Sequence, residues 1–268
     1  MNFYSPSATP QIPRVAAVLP AFNEATRIAG VLLAVSQATG VSEVLVVTDG
    51  CTDDTAEVAR AFAATSQTPV RVFEMPHNIG KGGAMTYGAH RTDADILLFL
   101  DADLSGLQPS QVEDMIAPLR RENPDERAEM VLGLFGHSGA SGVFGKAFGW
   151  WLGMCHRQAA FITGQRAIGR EVFLAVPNLT SSRYGVETAI TRYVCYVWKL
   201  RVEHVSLPGI SHPIKEQKNG ILKGLSHRLK MYSEIATYLA LETAHDHARA
   251  RYQRQTERLR QWIGGDKF

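Results

Sequence analysis

The sequence is poor in features that would each define a class of protein. Its 268 residues include only three cysteines, Cys51, Cys155 and Cys195, and no two of them form a Cys-x-x-Cys pair. An odd, widely spaced set of cysteines argues against a disulfide framework or a zinc cluster and suits a reducing compartment. The formal net charge is only +2. Because the chain lacks the surplus of Lys and Arg that binding to a nucleic-acid phosphate backbone requires, we expect no nucleic-acid partner.

Long hydrophobic runs are also missing. No segment approaches the roughly 20 apolar residues that a membrane-spanning helix needs, and residues 1–13 lack the basic start and apolar core of a signal peptide. We therefore expect a cytoplasmic protein that can reach a membrane only by peripheral contact. The charge is nevertheless uneven, since residues 215–268 hold eleven Lys and Arg against six Asp and Glu. The C-terminal segment is thus the basic part of the chain.

The most informative stretch runs from Asp95 to Leu107. Five apolar residues, Ile96 to Leu100, precede two carboxylates, Asp101 and Asp103. An unbroken apolar run of this length predicts a central strand buried on both faces of an α/β sheet. Ligands of such sheets bind at the carboxyl ends of the strands, and two adjacent carboxylates repel each other unless a cation neutralises them. The pair predicts a metal and diphosphate site, with two solvated loop acids as the alternative.

Short apolar strands alternate with helical patterns before this stretch. Strands are predicted at residues 15–20, 43–47 and 70–74, with a helix after each. Asn23 is the expected N-cap of the first helix, and Thr52 or Asp53 that of the second. This alternation is typical of a parallel sheet flanked by helices.

A glycine-rich run, Gly80-Lys81-Gly82-Gly83, opens the third predicted helix. Free backbone N–H groups, the positive end of the helix dipole and one cation all suit a phosphate. Glycine-rich turns are common, however, and the spacing differs from that of a P-loop. The run therefore supports a phosphate site only in combination with other motifs.

The second half of the chain gives a less regular pattern. Strands are expected at residues 130–135 and 200–205, and residues 161–168 form a polar cluster between apolar runs. The glycine-spaced aromatic segment at residues 136–155 suits a lid, an apolar acceptor pocket or an interfacial contact, and equally a closely packed core helix. Residues 216–268 are predicted to form basic, amphipathic helices.

Four motifs follow the predicted strands in order: Pro20-Ala21-Phe22-Asn23-Glu24, Thr48-Asp49-Gly50-Cys51-Thr52-Asp53-Asp54-Thr55, Gly80-Lys81-Gly82 and Asp101-Ala102-Asp103. Together they resemble the nucleotide-sugar glycosyltransferases of the GT-A fold, of the family 2 type and its dolichol-phosphate-mannose-synthase-like members. The later segments Thr163-Gly164-Gln165-Arg166-Ala167 and Tyr184-Gly185-Val186-Glu187, with His212, look like the retaining glucosyl-3-phosphoglycerate synthase relatives.

This resemblance implies an α/β fold, with a Rossmann-like mixed sheet flanked by helices. The glycosyltransferase domain would span residues 14–215, after a leader at residues 1–13 and before a C-terminal helical extension at residues 216–268. We expect any contact with a membrane to involve the basic helices of that extension and the aromatic residues Phe148, Trp150 and Trp151. A solvated helix or a contact with a second copy of the chain is the alternative for these helices.

The resemblance also implies roles for individual residues. Asp101, Asp103 and His212 would bind Mg²⁺ or Mn²⁺, and Asp103 and Glu187 would be catalytic. The residues that would bind the nucleotide sugar are Pro20, Ala21, Phe22, Asn23, Glu24, Asp49, Gly50, Lys81, Asp101, Ala102, Gly164 and Gln165. Within this set Asp49 would hold the base or ribose, and Lys81 would meet the base or diphosphate. Glu187 and His212 rest mainly on the resemblance, because an acid at a helix start and a histidine beside proline are commonly structural.

Two departures from the family pattern affect the expected substrates. Thr48 stands where family members usually carry a first acid, and residues 138–144 contain no arginine, although phosphoglycerate-type relatives use one there for the acceptor's phosphate. The expected function is metal-dependent transfer of a sugar, with glucose as the first guess, from a UDP-sugar to an unidentified small-molecule or lipid-phosphate acceptor. The alternatives are a polyprenyl-phosphate sugar synthase at the membrane surface and a non-catalytic nucleotide-sugar binding protein. A sugar-1-phosphate nucleotidyltransferase is disfavoured, because Pro20 to Glu24 replace its Gly- and Arg-containing loop.

Overall fold

The computed structural model describes residues 12–135, 163–181 and 185–211. In these ranges seven strands form one sheet in the order β3-β2-β1-β4-β6-β5-β7. Neighbouring strands are parallel, except that β6 is antiparallel to both β4 and β5. The strands are β1 (Val15–Ala21), β2 (Val41–Asp49), β3 (Val70–Met75), β4 (Ile96–Phe99), β5 (Met130–Phe135), β6 (Arg166–Gly169) and β7 (Val202–Leu207).

Helices cover both faces of this sheet. Those in the described residues are α1 (Ile28–Gln37), α2 (Thr55–Ala63), α3 (Lys81–Ala89), α4 (Pro109–Ile116), α5 (Arg170–Ala175) and α6 (Val186–Thr191). Short 3-10 turns lie at Ala117–Arg120 and Leu179–Ser181, and a π-helical turn at Arg192–Val197 follows α6.

The central strands are apolar throughout because each face of the sheet has its own core. Along β1, Val15, Ala17 and Leu19 pack in one core with residues of α1 and α4. The alternate residues Ala16 and Val18 pack in the other core with residues of α3, α5 and α6. Successive side chains of a strand point to opposite faces, so a strand covered on both faces carries no polar alternation.

The carboxyl ends of four parallel strands meet at one edge of the sheet. β1 pairs in parallel with both β2 and β4, so the segments that leave these strands lie side by side. The predicted strand before Asp101 is confirmed: residues 96–100 are buried, and β4 ends at Phe99. Since β3 is also parallel to β2, the topology places all four sequence motifs at the same edge.

The main departure from the sequence-based prediction is β6. Residues 161–168 were expected to be a polar cluster, but Arg166–Gly169 form a strand between β4 and β5. Four residues are too few to show a periodicity, and their strand conformation depends on backbone pairing with two neighbours that are distant in sequence. A smaller shift affects the last strand, which was predicted at residues 200–205 and lies at Val202–Leu207.

The predicted helix caps were also wrong. Asn23 has a left-handed φ of 57° and precedes α1 by five residues, and the N-cap is Arg27. The N-cap of α2 is Asp54, without a side-chain cap hydrogen bond. For Asn23 the physical reason is tertiary, because its side chain bonds to Thr52 in a neighbouring segment. Asp53 bonds both to the Ala25 N–H and, over 3.1 Å, to the N–H of Thr55 at the start of α2.

Several predictions concern parts of the chain outside the described residues: the leader, the aromatic segment at residues 136–155, His212 and the basic helices at residues 216–268. The predicted domain bounds accordingly stay predictions, although all seven strands fall within residues 14–215. No helix among the described residues has the length and apolar character to cross a membrane.

Candidate active site

A lysine shared by two carboxylates lies at the end of β4. The Nζ atom of Lys81 is 2.5 Å from Asp101 Oδ1 and 2.5 Å from Glu187 Oε1. Lys81 is the first residue of α3, Asp101 follows β4, and Glu187 is the second residue of α6. The fold thus brings together three charged residues from separate elements, which we call the Lys81 triad.

The electrostatics of the Lys81 triad favour its ionised form. Burial by itself lowers the pKa of Lys81, but the charges and hydrogen bonds of Asp101 and Glu187 outweigh that effect and raise the pKa above its ordinary value. A lysine in such surroundings keeps its proton at physiological pH. The triad therefore holds one fixed positive charge between two carboxylates.

Gly164 and Gln165, which directly precede β6, lie next to Asp101. Gln165 donates from Nε2 to Asp101 Oδ2 over 2.7 Å and accepts from the Asp101 backbone N–H at Oε1 over 2.9 Å. At Gly164 a Cβ atom would lie 2.5 Å from Asp101 Oδ2 and 2.6 Å from Lys81 Nζ. Real Cβ atoms do not approach other atoms so closely, so only glycine fits there while these two side chains keep their places.

Arg166 supports the triad from the interior. Its side chain is fully buried, and it donates to the backbone carbonyls of Glu187, over 3.2 Å, and Thr163. Burial lowers the pKa of Arg166, while the charges of Glu187 and Asp101 act in the opposite direction. Sequence reasoning assigned no role to Arg166. The sequence signal that could have predicted its burial is its position directly before the apolar pair Ala167 and Ile168, where a solvated side chain is unexpected.

The motifs after β1 and β2 bond to each other. Asn23 Oδ1 accepts from the Thr52 backbone N–H over 2.8 Å, and the Glu24 N–H donates to Thr55 Oγ1 over 2.8 Å. Asp53 Oδ2 accepts from the Ala25 N–H over 3.1 Å. These bonds form what we call the β1–β2 clamp. It fixes residues 20–24, the segment that was predicted to contact a nucleoside. In this segment Pro20 and Ala21 end β1, and the side chain of Phe22 is half exposed.

Asp49 and Gly50 connect the end of β2 to the turn before Lys81. The Asp49 carboxylate accepts from the backbone N–H groups of Ile79, over 2.7 Å, and Gly80, over 2.8 Å. Gly50 has a φ of 68°, and a Cβ there would lie 2.5 Å from the Asn78 backbone nitrogen. Asp49 is buried and bonded to its own chain. Its predicted contact with a base or ribose stays a prediction.

The predicted metal ligands Asp101 and Asp103 lie on either side of Ala102, which is buried. In residues 12–135, 163–181 and 185–211, no group of three or more His, Cys, Asp and Glu side chains forms a cage for a metal ion. Two carboxylates suit a hard divalent cation that completes its coordination with phosphate oxygens and water. The donor set thus fits the predicted cofactor. His212, the third predicted ligand, lies outside this part of the chain.

Comparison with known proteins finds a family model that matches part of the chain. Residues 16–136 match the family model described as "Glycosyl transferase family 2". The matched segment contains Lys81, Asp101 and the β1–β2 clamp. This segment is thus similar to glycosyl transferase family 2, and the protein is a glycosyltransferase. A search of curated proteins finds no match.

Solved structures of glucosyl-3-phosphoglycerate synthase from Mycobacterium tuberculosis share the fold. The complex with phosphoglyceric acid has a TM-score of 0.67 at 24% identity, over 85% of this chain and 78% of that chain. The complex with Mn²⁺, UDP and glucosyl-3-phosphoglycerate has a TM-score of 0.66 at 25% identity, with the same coverage. A third complex, with Mn²⁺, UDP-glucose and glycerol 3-phosphate, has a TM-score of 0.66 at 24% identity, over 89% and 85% of the two chains. The predicted GT-A type fold and the family resemblance are confirmed.

Nine of the predicted site residues fall into three groups. Lys81, Asp101, Gly164, Gln165 and Glu187 lie together around the Lys81 triad. Asn23 and Glu24 take part in the β1–β2 clamp. Asp49 and Gly50 contact the turn at residues 77–80. The roles that the resemblance assigns to these residues stay predictions.

Proposed function

We propose that this glycosyltransferase transfers a sugar, with glucose as the first candidate, from a UDP-sugar to a small-molecule or lipid-phosphate acceptor, and that Mg²⁺ or Mn²⁺ is its cofactor. The observation that carries the proposal is the carboxylate of Asp101, held at the carboxyl end of β4 beside the cation of Lys81. The fold neighbours crystallised with Mn²⁺ and UDP-glucose support the choice of donor and metal.

Asp101 and Asp103 would hold the metal through carboxylate oxygens. When bound, the metal supplies Lewis-acid stabilisation of the diphosphate leaving group. Lys81 adds a positive charge that the triad fixes in place before substrate arrives, and preorganised charge of this kind stabilises negative charge that develops in the transition state. The N-terminus of α3, which begins at Lys81, favours an anion at the same place.

The other residues of the site would bind and orient the substrates. Residues 20–24, fixed by the β1–β2 clamp, would contact the nucleoside. Glu187 would accept a hydrogen bond from a hydroxyl of the donor sugar or of the acceptor. If the reaction inverts the anomeric centre, a carboxylate base must take the proton of the acceptor hydroxyl, and Glu187 is the candidate. The anomeric configuration of the product, measured by NMR, distinguishes inversion from retention.

The identity of the acceptor, and any contact with a membrane or a second copy of the chain, depend on parts of the chain outside the described residues. Residues 138–144, where an arginine is missing, the aromatic segment and the basic residues 216–268 all lie there. Peripheral membrane contact, a homodimer and a polyprenyl-phosphate acceptor accordingly stay predictions. Sedimentation with anionic liposomes at moderate salt tests the membrane version, because basic amphipathic helices bind anionic lipid.

A thermal-shift panel tests the donor and the metal together. It contains UDP-glucose, UDP-galactose, UDP-N-acetylglucosamine, GDP-mannose and free nucleotides, each with and without Mn²⁺. A ligand at 100 times its dissociation constant adds about 2.7 kcal/mol to the free energy of unfolding, which raises the melting temperature by roughly 5 to 10 °C for a chain of this size. We expect one UDP-sugar to stabilise the protein far more with Mn²⁺ than without it. Equal shifts with and without Mn²⁺, or none for any sugar nucleotide, would overturn the proposal.

The first testable prediction concerns Asp103. Asp103→Ala should abolish both the Mn²⁺-dependent part of the thermal shift and hydrolysis of the UDP-sugar, because one of two metal carboxylates is lost. Asp114→Ala is the matched control, since Asp114 is an exposed acid on α4 in the same segment of the chain. The control should behave like the wild type. Wild-type turnover in Asp103→Ala would contradict the assignment of Asp103 as a metal ligand.

A further inference from the structure

We infer that Gln165 is a positioning residue, which acts on the donor and metal through Asp101 and does not contact the nucleotide sugar. The inference rests on the proposed function, in which Asp101 is a metal ligand. It differs from the role implied by the family resemblance, which placed Gln165 among the residues that bind the nucleotide sugar.

The side chain of Gln165 bonds to Asp101 at two points. Its Oε1 atom accepts from the Asp101 backbone N–H, and its Nε2 atom donates to the Asp101 carboxylate. Because an N–H group needs an acceptor and an ionised carboxylate needs a donor, only one orientation of the amide satisfies both bonds. The pair of bonds therefore fixes both the position of the Asp101 backbone and the rotation of its carboxylate.

Gln165 is itself held by the sheet. Its carbonyl accepts from the Gly133 N–H over 2.9 Å, and its own N–H donates to Thr163 Oγ1 over 3.2 Å. The Thr163 hydroxyl in turn donates to the Gly133 carbonyl over 2.8 Å. Gly133 belongs to β5, so these bonds tie the position of Asp101 to a strand that sequence motifs do not connect with the site.

Burial excludes a direct role for Gln165 in the described structure. The residue is 0% exposed, so a ligand that approaches from solvent meets Asp101 before it can meet Gln165. Asp101 Oδ1 accepts from Lys81, and Oδ2 accepts from Gln165. Each carboxylate oxygen accepts in two directions, so the bond from Gln165 restricts the directions from which a cation can approach Asp101. Groups that orient metal ligands in this way typically contribute 10- to 100-fold in metal affinity.

The chain offers a matched control in Gln111. This buried glutamine of α4 also makes two bonds with its amide: Nε2 donates to the Pro208 carbonyl over 2.8 Å, and Oε1 accepts from the Gln108 N–H over 3.0 Å. Gln165→Met and Gln111→Met therefore each remove one amide donor and one amide acceptor from a buried position. They differ in that only Gln165 contacts Asp101.

The experiment measures binding of Mn²⁺ by electron paramagnetic resonance in the presence of UDP, and binding of UDP without metal by calorimetry. We expect Gln165→Met to weaken Mn²⁺ binding by about tenfold or more, with metal-free UDP binding within twofold of the wild type. Gln111→Met should leave both within twofold. Thermal melts verify that each variant is folded at the measuring temperature. If Gln165→Met does not fold, Gln165→Asn replaces it, because the shorter amide stays polar but cannot reach both partners.

Three results would overturn the inference in distinguishable ways. Mn²⁺ affinity in the Gln165 variant equal to that of Gln111→Met would exclude the positioning role while leaving the proposed function intact. Loss of metal-free UDP binding in parallel with Mn²⁺ binding would indicate a general loosening of the fold. Failure of the wild-type protein to bind Mn²⁺ with UDP would instead overturn the proposed function, and the inference with it.

Discussion

Two ion-pair clusters with the same charge pattern, one cation and two carboxylates, occur in different parts of this molecule. In the Lys81 triad, a lysine lies between Asp101 and Glu187 at the carboxyl edge of the sheet. On the outer surface, Arg60 of α2 pairs with Glu57, over 3.4 Å, and with Glu74 of β3. We call the second cluster the Arg60 triad. Each consists of one cation that bridges two carboxylates from different positions in the chain.

Burial distinguishes the two clusters. The side chains of Lys81, Asp101 and Glu187 are 17%, 21% and 11% exposed. Those of Arg60, Glu57 and Glu74 are 48%, 62% and 52% exposed. Water screens exposed pairs, which contribute about 0 to 1 kcal/mol, whereas removing one member of a buried pair leaves an uncompensated charge and costs about 3 to 5 kcal/mol. The comparison teaches that the same charge pattern contributes little to stability where it is exposed and much more where it is buried.

The largest loss of stability is expected from removing the central cation of the Lys81 triad, with removal of Arg60 as the comparison. Lys81→Met should lower the free energy of unfolding by about 3 kcal/mol, near the lower end of the range for buried pairs because the triad keeps some exposure. Arg60→Met should cost less than about 1 kcal/mol. Chemical denaturation of both variants and the wild type, at low salt and at 1 M NaCl, provides the measurement.

Salt sharpens this test. The small effect of Arg60→Met should shrink further at 1 M NaCl, where exposed charges are screened, while the effect of Lys81→Met should persist. Equal costs for the two substitutions, or a loss of the Lys81 effect at high salt, would mean that the Lys81 triad behaves as an ordinary surface cluster.

A methyl group at Gly164 should disturb the Lys81 triad without removing a charge. Gly164→Ala places a Cβ within 2.6 Å of Lys81 Nζ and closer still to Asp101, so both side chains must move. We expect a cost of about 1 to 3 kcal/mol in stability and at least a tenfold fall in kcat/KM for the UDP-sugar. Gly30→Ala in α1 is the control, since a Cβ there meets nothing within 4 Å. It should stabilise the protein by about 0.4 to 1 kcal/mol, and a similar gain for Gly164→Ala would contradict the close contact.

The smallest effect is expected in the β1–β2 clamp. Burial tends to raise the pKa of Asp53, but hydrogen bonds from the Thr55 hydroxyl and from the backbone N–H groups of Ala25 and Thr55 outweigh it and lower the pKa below the ordinary value of 3.8. A lowered folded-state pKa stabilises the protein above the unfolded value, and this contribution is lost as pH falls through the folded value. Asp53→Asn should therefore lower the melting temperature slightly at neutral pH. The difference from the wild type should shrink as the pH falls below 3.8 and through the lowered folded-state pKa of Asp53, and a difference that grows on acidification would contradict this account.

Local sequence patterns predicted the regular half of the sheet because its signals are local. The apolar runs of β1, β2, β4 and β5 are long enough to indicate buried strands, and the acid pair after β4 follows from the rule that ligands bind at strand ends. Parallel pairing then brings the motifs after β1, β2 and β4 to one edge. The order of the motifs, and with it the family, could therefore be predicted from residue types and spacing.

The missed features depend on contacts between distant segments. β6 has four residues, and its place between β4 and β5 depends on antiparallel pairing with both. Asn23 was expected to cap a helix, but its side chain bonds to Thr52 in the neighbouring loop. Asp49 was assigned to a ligand, and its carboxylate bonds to the turn before Lys81. A polar residue at a strand end can satisfy its hydrogen bonds locally, across the fold or with a ligand, and local propensity does not distinguish these outcomes.

The sequence by itself determined the layered α/β architecture, the edge at which the site lies and the chemical types available there. Apolar period and length decide which segments are buried, and parallel strands share one carboxyl edge whatever their loops contain. Only the tertiary structure decided that Lys81 pairs with Asp101 and Glu187, that Gln165 orients Asp101 and that Arg166 is buried behind them. These partners are 20 to 106 residues apart along the chain. Which charges meet over such separations depends on how the strands are ordered in the sheet, and residue spacing carries no information about that order.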